Sequence, residues 1–462
     1  MQYSTFAAID IGSYDVILEI FEISKKQGIR SVDKICHRME LGKDTYTLGK
    51  IRPEMEEELC RVLADFVRIM EGYRVDDYRA TASSAISEAS NSLYVLGKIH
   101  QLTGFSVTVL SNSEQRFLSY KALAAMEDNF NKIIEKGTAI LDLDGGSFQI
   151  SLFDKDALVT TQNIRMGSLR IRERLAGIQS ETEHYEEMVE ELIWNEVSSF
   201  KKMYLKDRKI ENIMLIGDVF TDSVYQNIEE KTTKIISREN FNTWYEKIIR
   251  QSPMELAVKL GIPLENASLM YPSAVIYKCL IDMMGAEHIW IPGVHMTRGI
   301  AYEYAEQMKL LKGGHNFEND ILMAAKNIGK RYAVNRPHVQ NLEMTALAMF
   351  DATKKMHGMK ERERLLLQMA VMLHDVGKYI SFNNVADSSY NIIMSNEIIG
   401  LSHIEREMVA LIAKYNTAVL PSYDELVMES SLSAEQYLTV SELTAIVPVS
   451  YTHLTLPTTS RV

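Results

Sequence analysis

The feature that most constrains this chain occurs twice: an apolar run holding an aspartate, a turn rich in glycine and serine, and a second apolar run leading away. The first copy runs from Phe6 to Ile11 with Asp10, breaks at Gly12 and Ser13, and resumes from Val16 to Phe21. The second runs from Ala139 to Leu143 with Asp142, breaks at Asp144, Gly145, Gly146 and Ser147, and resumes from Phe148 to Phe153. Short apolar runs bounded in this way are strands joined by tight turns. After the first copy a third strand passes through Ile35. The stretch from Glu54 to Met70 then sets Leu59, Val62, Leu63, Phe66, Val67 and Met70 on one side of a helical period. Pro53 lies near that helix start, where a missing N–H costs nothing. Strand, strand, strand, helix predicts an α/β layer and not a bundle. Its recurrence predicts two similarly built lobes whose turns face one another across a crevice, an arrangement that can hold phosphate.

A chain of 462 residues exceeds what one hydrophobic core supports, so two or three domains are expected. Past Arg298 the character changes. Gly313 and Gly314 form the clearest local linker, and an all-α domain is expected from near Tyr302 to about Tyr415. The chain opens MQYSTFAAIDIGS, without a basic segment or a long apolar stretch, which predicts a cytoplasmic protein with no membrane partner. Three cysteines, Cys36, Cys60 and Cys279, suit a reducing compartment. A formal net charge of −12 disfavours nucleic acid as a partner and also repels any polyanion. Attraction for a phosphate ligand must therefore come from local Arg and Lys groups, backbone amides or a bound metal.

In the first turn, the backbone N–H groups and the Ser13 hydroxyl can hold phosphate while Asp10 holds Mg²⁺ or a metal-bound water. In the second, glycines let the backbone approach a ligand. Asp144 is the odd member: a carboxylate beside such a nest either recruits Mg²⁺ or spoils the nest.

Four segments carry a resemblance: Phe6 to Ser13 (FAAIDIGS), Leu110 to Arg116 (LSNSEQR), Ile140 to Gln149 (ILDLDGGSFQ) and Ile164 to Arg170 (IRMGSLR). In order and spacing they resemble the motifs of the exopolyphosphatase/guanosine pentaphosphate phosphatase family, over roughly residues 4 to 445. The resemblance implies two actin-like (ASKHA, ribonuclease H-like) α/β lobes, roughly 1–125 and 126–300. It also implies a C-terminal all-α HD-like domain, 301–447. It implies Mg²⁺-dependent cleavage of the terminal phosphoanhydride of inorganic polyphosphate or pppGpp, and it leaves a homodimer open. By family pattern Asp10 and Asp142 match the acids of the two phosphate loops, and Gly12, Ser13, Gly145, Gly146 and Ser147 match the residues that embrace phosphate.

The departures fall on charged groups. The family's paired glutamates read Glu114 and Gln115, and the position matched to the catalytic base is the second; a register one residue earlier would make Glu114 the base. The GGGSTE loop reads Asp144 to Gln149, ending in an amide, which leaves room for Asp144 to assume a metal role from Gln149. The arginine of an ATSALREA-like motif reads Ser87. A neutral amide orients water but is no useful base, and losing base assistance costs about 10² to 10⁴ in rate.

In the helical region, His338 and His374-Asp375 match the opening His and the HD pair of the HD fold, with Gly377 and Lys378 completing an HDxGK string. Ser388 and Asn416 stand where further ligands are expected, so this weak HD-like site reads as structural. After Val447 the chain runs VSYTHLTLPTTSRV, and residues 448–462 read as a foreign or artefactual tail in which the helix should stop. Two functions fit: a phosphohydrolase of reduced activity, or a noncatalytic regulator that binds polyphosphate or guanosine polyphosphate. A sugar kinase or ATPase chaperone shares the paired-loop plan but not the helical appendage.

Overall fold

A computed structural model describes residues 3–126, 130–155, 157–176, 185–227, 234–311 and 315–455. It divides into two compact units, Met1–His315 and Asn316–Val462.

The first unit contains two sheets. One has the order β3-β2-β1-β4-β5, from β1 (Ser4–Ile11), β2 (Asp15–Ser24), β3 (Gly28–Arg38), β4 (Asp77–Ala82) and β5 (Val107–Val109). The other has the order β10-β11-β9-β6-β7-β8, from β6 (Thr138–Leu143), β7 (Phe148–Asp154), β8 (Ala157–Ile164), β9 (Asn212–Ile216), β10 (Ile235–Ser237) and β11 (His288–Trp290). In each, an antiparallel three-strand meander is extended on its first strand by a parallel neighbour, β4 beside β1 and β9 beside β6. The matching strand orders are those of an actin-like two-lobe fold.

Central strands β1 and β6 read as continuous apolar runs because both their faces are covered. Ile9, Ile11 and Leu18 pack under the helix Pro53–Tyr73 through Leu59, Leu63 and Phe66. Leu141, Leu143, Ile213 and Leu215 pack with Val189, Ile193 and the helix Leu264–Met284. The first turn closes by a 2.9 Å hydrogen bond from the Gly12 N–H to the Asp15 carbonyl, and a Cβ on Gly12 would lie 2.9 Å from that same oxygen.

The boundary expected at 300/301 falls inside the helix Met296–Gln307. The helix Met296–Gln307 returns to the first sheet, burying Ile300, Ala301 and Tyr304 against Phe6, Phe21 and Leu118, with the Phe6 and Tyr304 rings stacked at 4.1 Å. Lys121 pairs with Glu303 and Glu306 at 3.2 and 3.1 Å across the same contact. Those contacts are long-range, which helical periodicity cannot reveal. Gly313 and Gly314 lie outside the described residues.

The second unit is helical throughout its described residues, from Phe317–Arg331 to Ala434–Thr455. Leu342, Phe350, Leu366, Val409 and Leu443 are among its buried residues. Past the stop expected near Val447, the last helix continues through Pro448 to Thr455. A proline forfeits one amide hydrogen bond and crowds the preceding turn, at about 3 kcal/mol, but it kinks a helix as readily as it ends one. Here buried Leu443 and Val447 anchor the turns before it. Residues 456–462 lie outside the described residues. Among the described residues no helix is long and apolar enough to cross a membrane.

Candidate active-site cleft

Three strand ends in the first unit converge on one cavity of about 280 Å³. Asp10 comes from the end of β1, Asp142 from β6, and Asp218 from the turn after β9. Gly217 makes that third turn possible: its φ is +107°, and a Cβ there would lie 2.6 Å from Asp142 Oδ1 and 2.5 Å from the Leu143 carbonyl. Asp218 then caps the helix Val219–Asn227, with Oδ1 accepting from the Thr221 N–H at 3.1 Å and from the Tyr277 hydroxyl at 3.3 Å.

Six carboxylates line the cavity (Asp10, Asp15, Asp142, Asp144, Asp218 and Asp222) against three permanent cations, Lys34, Arg38 and Arg116, so the cleft is acidic. Burial, then Asp15 and Asp144, push the Asp10 carboxyl well above the usual range, offset in part by Arg116 and Lys34. Burial likewise raises Asp142 against the pull of Arg116, and raises Asp15 against Arg38. Asp218 is pushed up to about 7, first by burial and with Asp222 adding, although its hydrogen bonds oppose the shift.

Asp10 Oδ1, Asp142 Oδ2 and Asp218 Oδ2 are buried without a hydrogen-bond partner. Buried acceptors in that state are costly, and a hard divalent cation would satisfy them. Apart from the histidine group of the second unit, no three candidate ligand atoms gather within 4.8 Å of one another among the described residues. That spacing fits an ion held directly by one or two carboxylates and otherwise by water and substrate oxygens, as Mg²⁺ is.

Of the residues expected from sequence, Asp10, Gly12, Gln115, Asp142, Asp144 and Gly145 line the cavity. Gln115 Nε2 donates to Asp144 Oδ2 at 3.2 Å, while Asp144 Oδ1 accepts from the Gly145 N–H at 2.5 Å. The Asp144 carboxylate thus engages a backbone amide that a phosphate would use.

Five others are not brought to the cavity wall. The Ser13 hydroxyl is engaged by Tyr46 Oη at 2.7 Å and Ser84 Oγ at 3.2 Å, and Gly146 is packed against those two side chains. Ser147 Oγ accepts from Arg116 Nη2 at 3.5 Å. Gln149 is buried with neither amide atom hydrogen-bonded. Glu114 Oε2 accepts from the Ser111 N–H and hydroxyl at 2.9 and 2.6 Å, and the Glu114 N–H donates to Ser111 Oγ at 3.3 Å. That reciprocal pair caps the helix Asn112–Met126, and the S-N-S-E string was a legible sign of it. Ser87 is exposed, away from the cavity.

Sequence reasoning did not single out two arginines beside these turns. Arg116, buried, places Nη1 2.8 Å from Asp142 Oδ1. Arg170, on the helix Ser168–Leu175, reaches both oxygens of Glu88 at 3.0 Å, with Nε donating to the Gly146 carbonyl at 2.8 Å. Asp15, Asp218, Lys34 and Arg38 were also missed. For Asp218 the signal was a third apolar run ending Ile216-Gly217-Asp218.

In the second unit, ligand atoms of His338, His374 and Asp375 lie within 4.8 Å of one another. His374 Nδ1 faces the Val371 carbonyl at 2.7 Å, and its Nε2 lies 3.3 Å from Asp375 Oδ1. Burial would raise Asp375, but His374 and Lys378 Nζ, 2.5 Å from Oδ2, bring it to about 2. Ser389 Oγ donates to the His374 carbonyl at 2.7 Å and accepts from the Gly377 N–H at 2.9 Å, and Asn416 Nδ2 donates to the Ala413 carbonyl at 2.5 Å.

Comparison with known proteins gives a consistent picture. The model of the Ppx/GppA phosphatase family matches residues 20–308, and that of its domain III matches residues 322–447. The chain is 21% identical over 310 residues to a bifunctional 3-dehydroquinate synthase/phosphatase of Fusobacterium nucleatum, a match covering 61% of this chain and 44% of that protein's length. It is 18% identical to a guanosine-5'-triphosphate,3'-diphosphate pyrophosphatase of Vibrio atlanticus, across 95% of this chain and 86% of that one. Among solved structures, an Aquifex aeolicus Ppx/GppA family member aligns with a TM-score of 0.55 at 17% identity, covering 66% of this chain and 99% of that one. An exopolyphosphatase from Cytophaga hutchinsonii aligns with a TM-score of 0.58 at 17% identity, covering 66% and 98%. At such identities the likeness to solved structures establishes the shared fold.

Proposed function

Since this chain belongs to the Ppx/GppA phosphatase family, we propose that it is a phosphoanhydride hydrolase of reduced activity, acting on inorganic polyphosphate or pppGpp with Mg²⁺. The observation that carries the reading is the set of unpartnered carboxylate oxygens of Asp10, Asp142 and Asp218 in a cavity that also holds Gln115. Asp10 and Asp142 would hold Mg²⁺, in a cavity that Asp144 and Asp218 also line. A divalent ion held there would supply neutralisation of the charge on the phosphate oxygens. Arg116 holds the Asp142 carboxyl in place through its 2.8 Å contact with Oδ1. Gly12 and Gly145 permit close approach of the terminal phosphate.

Gln115 orients the attacking water through its amide but takes no proton from it, which is why turnover is slow. The noncatalytic reading draws on the same amide and on Asp144, which competes for the Gly145 N–H. Phosphate release from polyphosphate and pppGpp, beside calorimetric binding of each, separates the two. Release well below the ordinary enzyme range of about 1 to 10³ per second, with binding intact, supports the slow hydrolase. Binding with no release leaves the regulator, and neither binding nor release refutes both.

A further inference from the structure

The cleft is closed along one side and open along the other. On the closed side, the Ser13, Tyr46 and Ser84 hydroxyls meet within 2.7 to 3.2 Å of one another. A Cβ on Gly146 would stand 2.2 Å from Tyr46 Oη and 2.6 Å from Ser84 Oγ, so no ligand atom fits between that turn and these two side chains. The Arg170 guanidinium, 3.8 Å from the centre of the Tyr46 ring and paired with Glu88, fastens the same side.

The open side is β3, an edge strand hydrogen-bonded only to β2. Alternation along β3 turns Lys34, Cys36 and Arg38 to one face, and all three line the cavity while remaining exposed. Arg38 Nη1 lies 3.5 Å from Asp15 Oδ2, a long contact that leaves donors available. No carboxylate stands within ion-pair distance of Lys34 among the described residues. Between them the Cys36 thiol, pushed up to about 12 by desolvation and by Asp15, adds no negative charge. The third cation, Arg116, is buried and committed to Asp142. The exposed positive charge therefore lies along β3, the unpartnered oxygens of Asp10, Asp142 and Asp218 are buried, and Asp15 and Asp222 stay partly exposed.

Such a gradient suits an elongated anion whose end is held at the base with a divalent cation and whose body lies along the mouth. From Lys34 to Arg38 an extended strand spans roughly 13 Å, more than a single phosphate bridges. We propose that Lys34 and Arg38 are a docking row for the body of a linear polyphosphate, so that the preferred ligand is a long phosphate chain and not a short one ending in a nucleoside. The inference rests on the functional reading above and specifies its substrate. A net charge of −12 makes such a local row necessary, because the field of the whole chain repels the same ligand.

The test is calorimetric titration, with Mg²⁺ present, of long-chain polyphosphate, tripolyphosphate and pppGpp into the full chain and into Lys34→Met/Arg38→Gln. Both side chains are exposed, so the fold is expected to be spared, and a thermal melt checks this. The double variant should lose about 10-fold or more in affinity for the long chain, each lost charge-assisted contact being felt there, and less than about 3-fold for tripolyphosphate. Arg30→Gln, on the same strand but paired with Glu22 and outside the cavity, should change neither affinity. Unchanged long-chain affinity in the double variant, or an equal loss on all three ligands, overturns the docking row alone. If the natural chain binds none of the three, the docking row and the hydrolase reading fall together.

Discussion

Gln115 donates to Asp144 at 3.2 Å, so each side chain holds the other in place. A glutamate at 115 would face the Asp144 carboxylate at that separation, and like charges so close raise one another's pKa instead of yielding a free base. Gln115→Glu alone should therefore raise phosphate release only a few-fold. Gln115→Glu combined with Asp144→Gly should recover much of the roughly 10² to 10⁴ that base assistance provides. Rates for the two variants check this, and a full gain from the single change would contradict it. Gln149, buried with both amide atoms unpaired, carries the cost of unmade hydrogen bonds. Gln149→Met, close to it in shape, should raise stability in urea unfolding by about 1 to 3 kcal/mol. A loss would mean that the amide has a partner such as ordered water. Gln115 was legible in the sequence but its partner was not, because Asp144 meets it only once two separate turns are brought together.

The helix Asn112–Met126 shows how one element decides between two candidate roles. Glu114 is occupied by Ser111 at its helix start, so Glu114→Ala should cost about 1 kcal/mol of stability and leave phosphate release within roughly 3-fold. Abolished release would instead identify Glu114 as the base. In the helical unit, His338, His374 and Asp375 are close enough to share an ion, but the Lys378 ammonium already supplies the positive charge that Asp375 needs. Elemental analysis of the purified chain should find no stoichiometric transition metal. Near-stoichiometric metal that vanishes in His374→Ala would refute that expectation. Helical periodicity identified these helices, but it could not show that the helix Met296–Gln307 belongs with the first sheet, because Ile300 and Tyr304 read as ordinary core residues whatever they pack against.

Across the whole molecule, the acidic cleft sets how stability depends on pH. Asp10, Asp15, Asp142 and Asp218 all have folded pKa values above their unfolded ones, Asp218 at about 7. From about pH 4 upward the folded chain holds protons that the unfolded chain has released, so stability falls as pH rises toward 7. Millimolar Mg²⁺ should reverse this where the carboxylates are ionised, adding about 1 to 2 kcal/mol near pH 8 and little near pH 5. Melting temperatures at both pH values, with and without the ion, test this; equal shifts at the two would place the ion elsewhere. The sequence by itself determined the twin lobes, since two apolar runs broken by an aspartate and glycine turn leave the chain few other ways to bury both strands. Only the tertiary structure decided which turn residues face the cleft, which are sealed against Tyr46, and which cation stands beside Asp142. Those depend on groups far apart in the chain, such as Asp142 and Gly217, meeting at distances that no local pattern records.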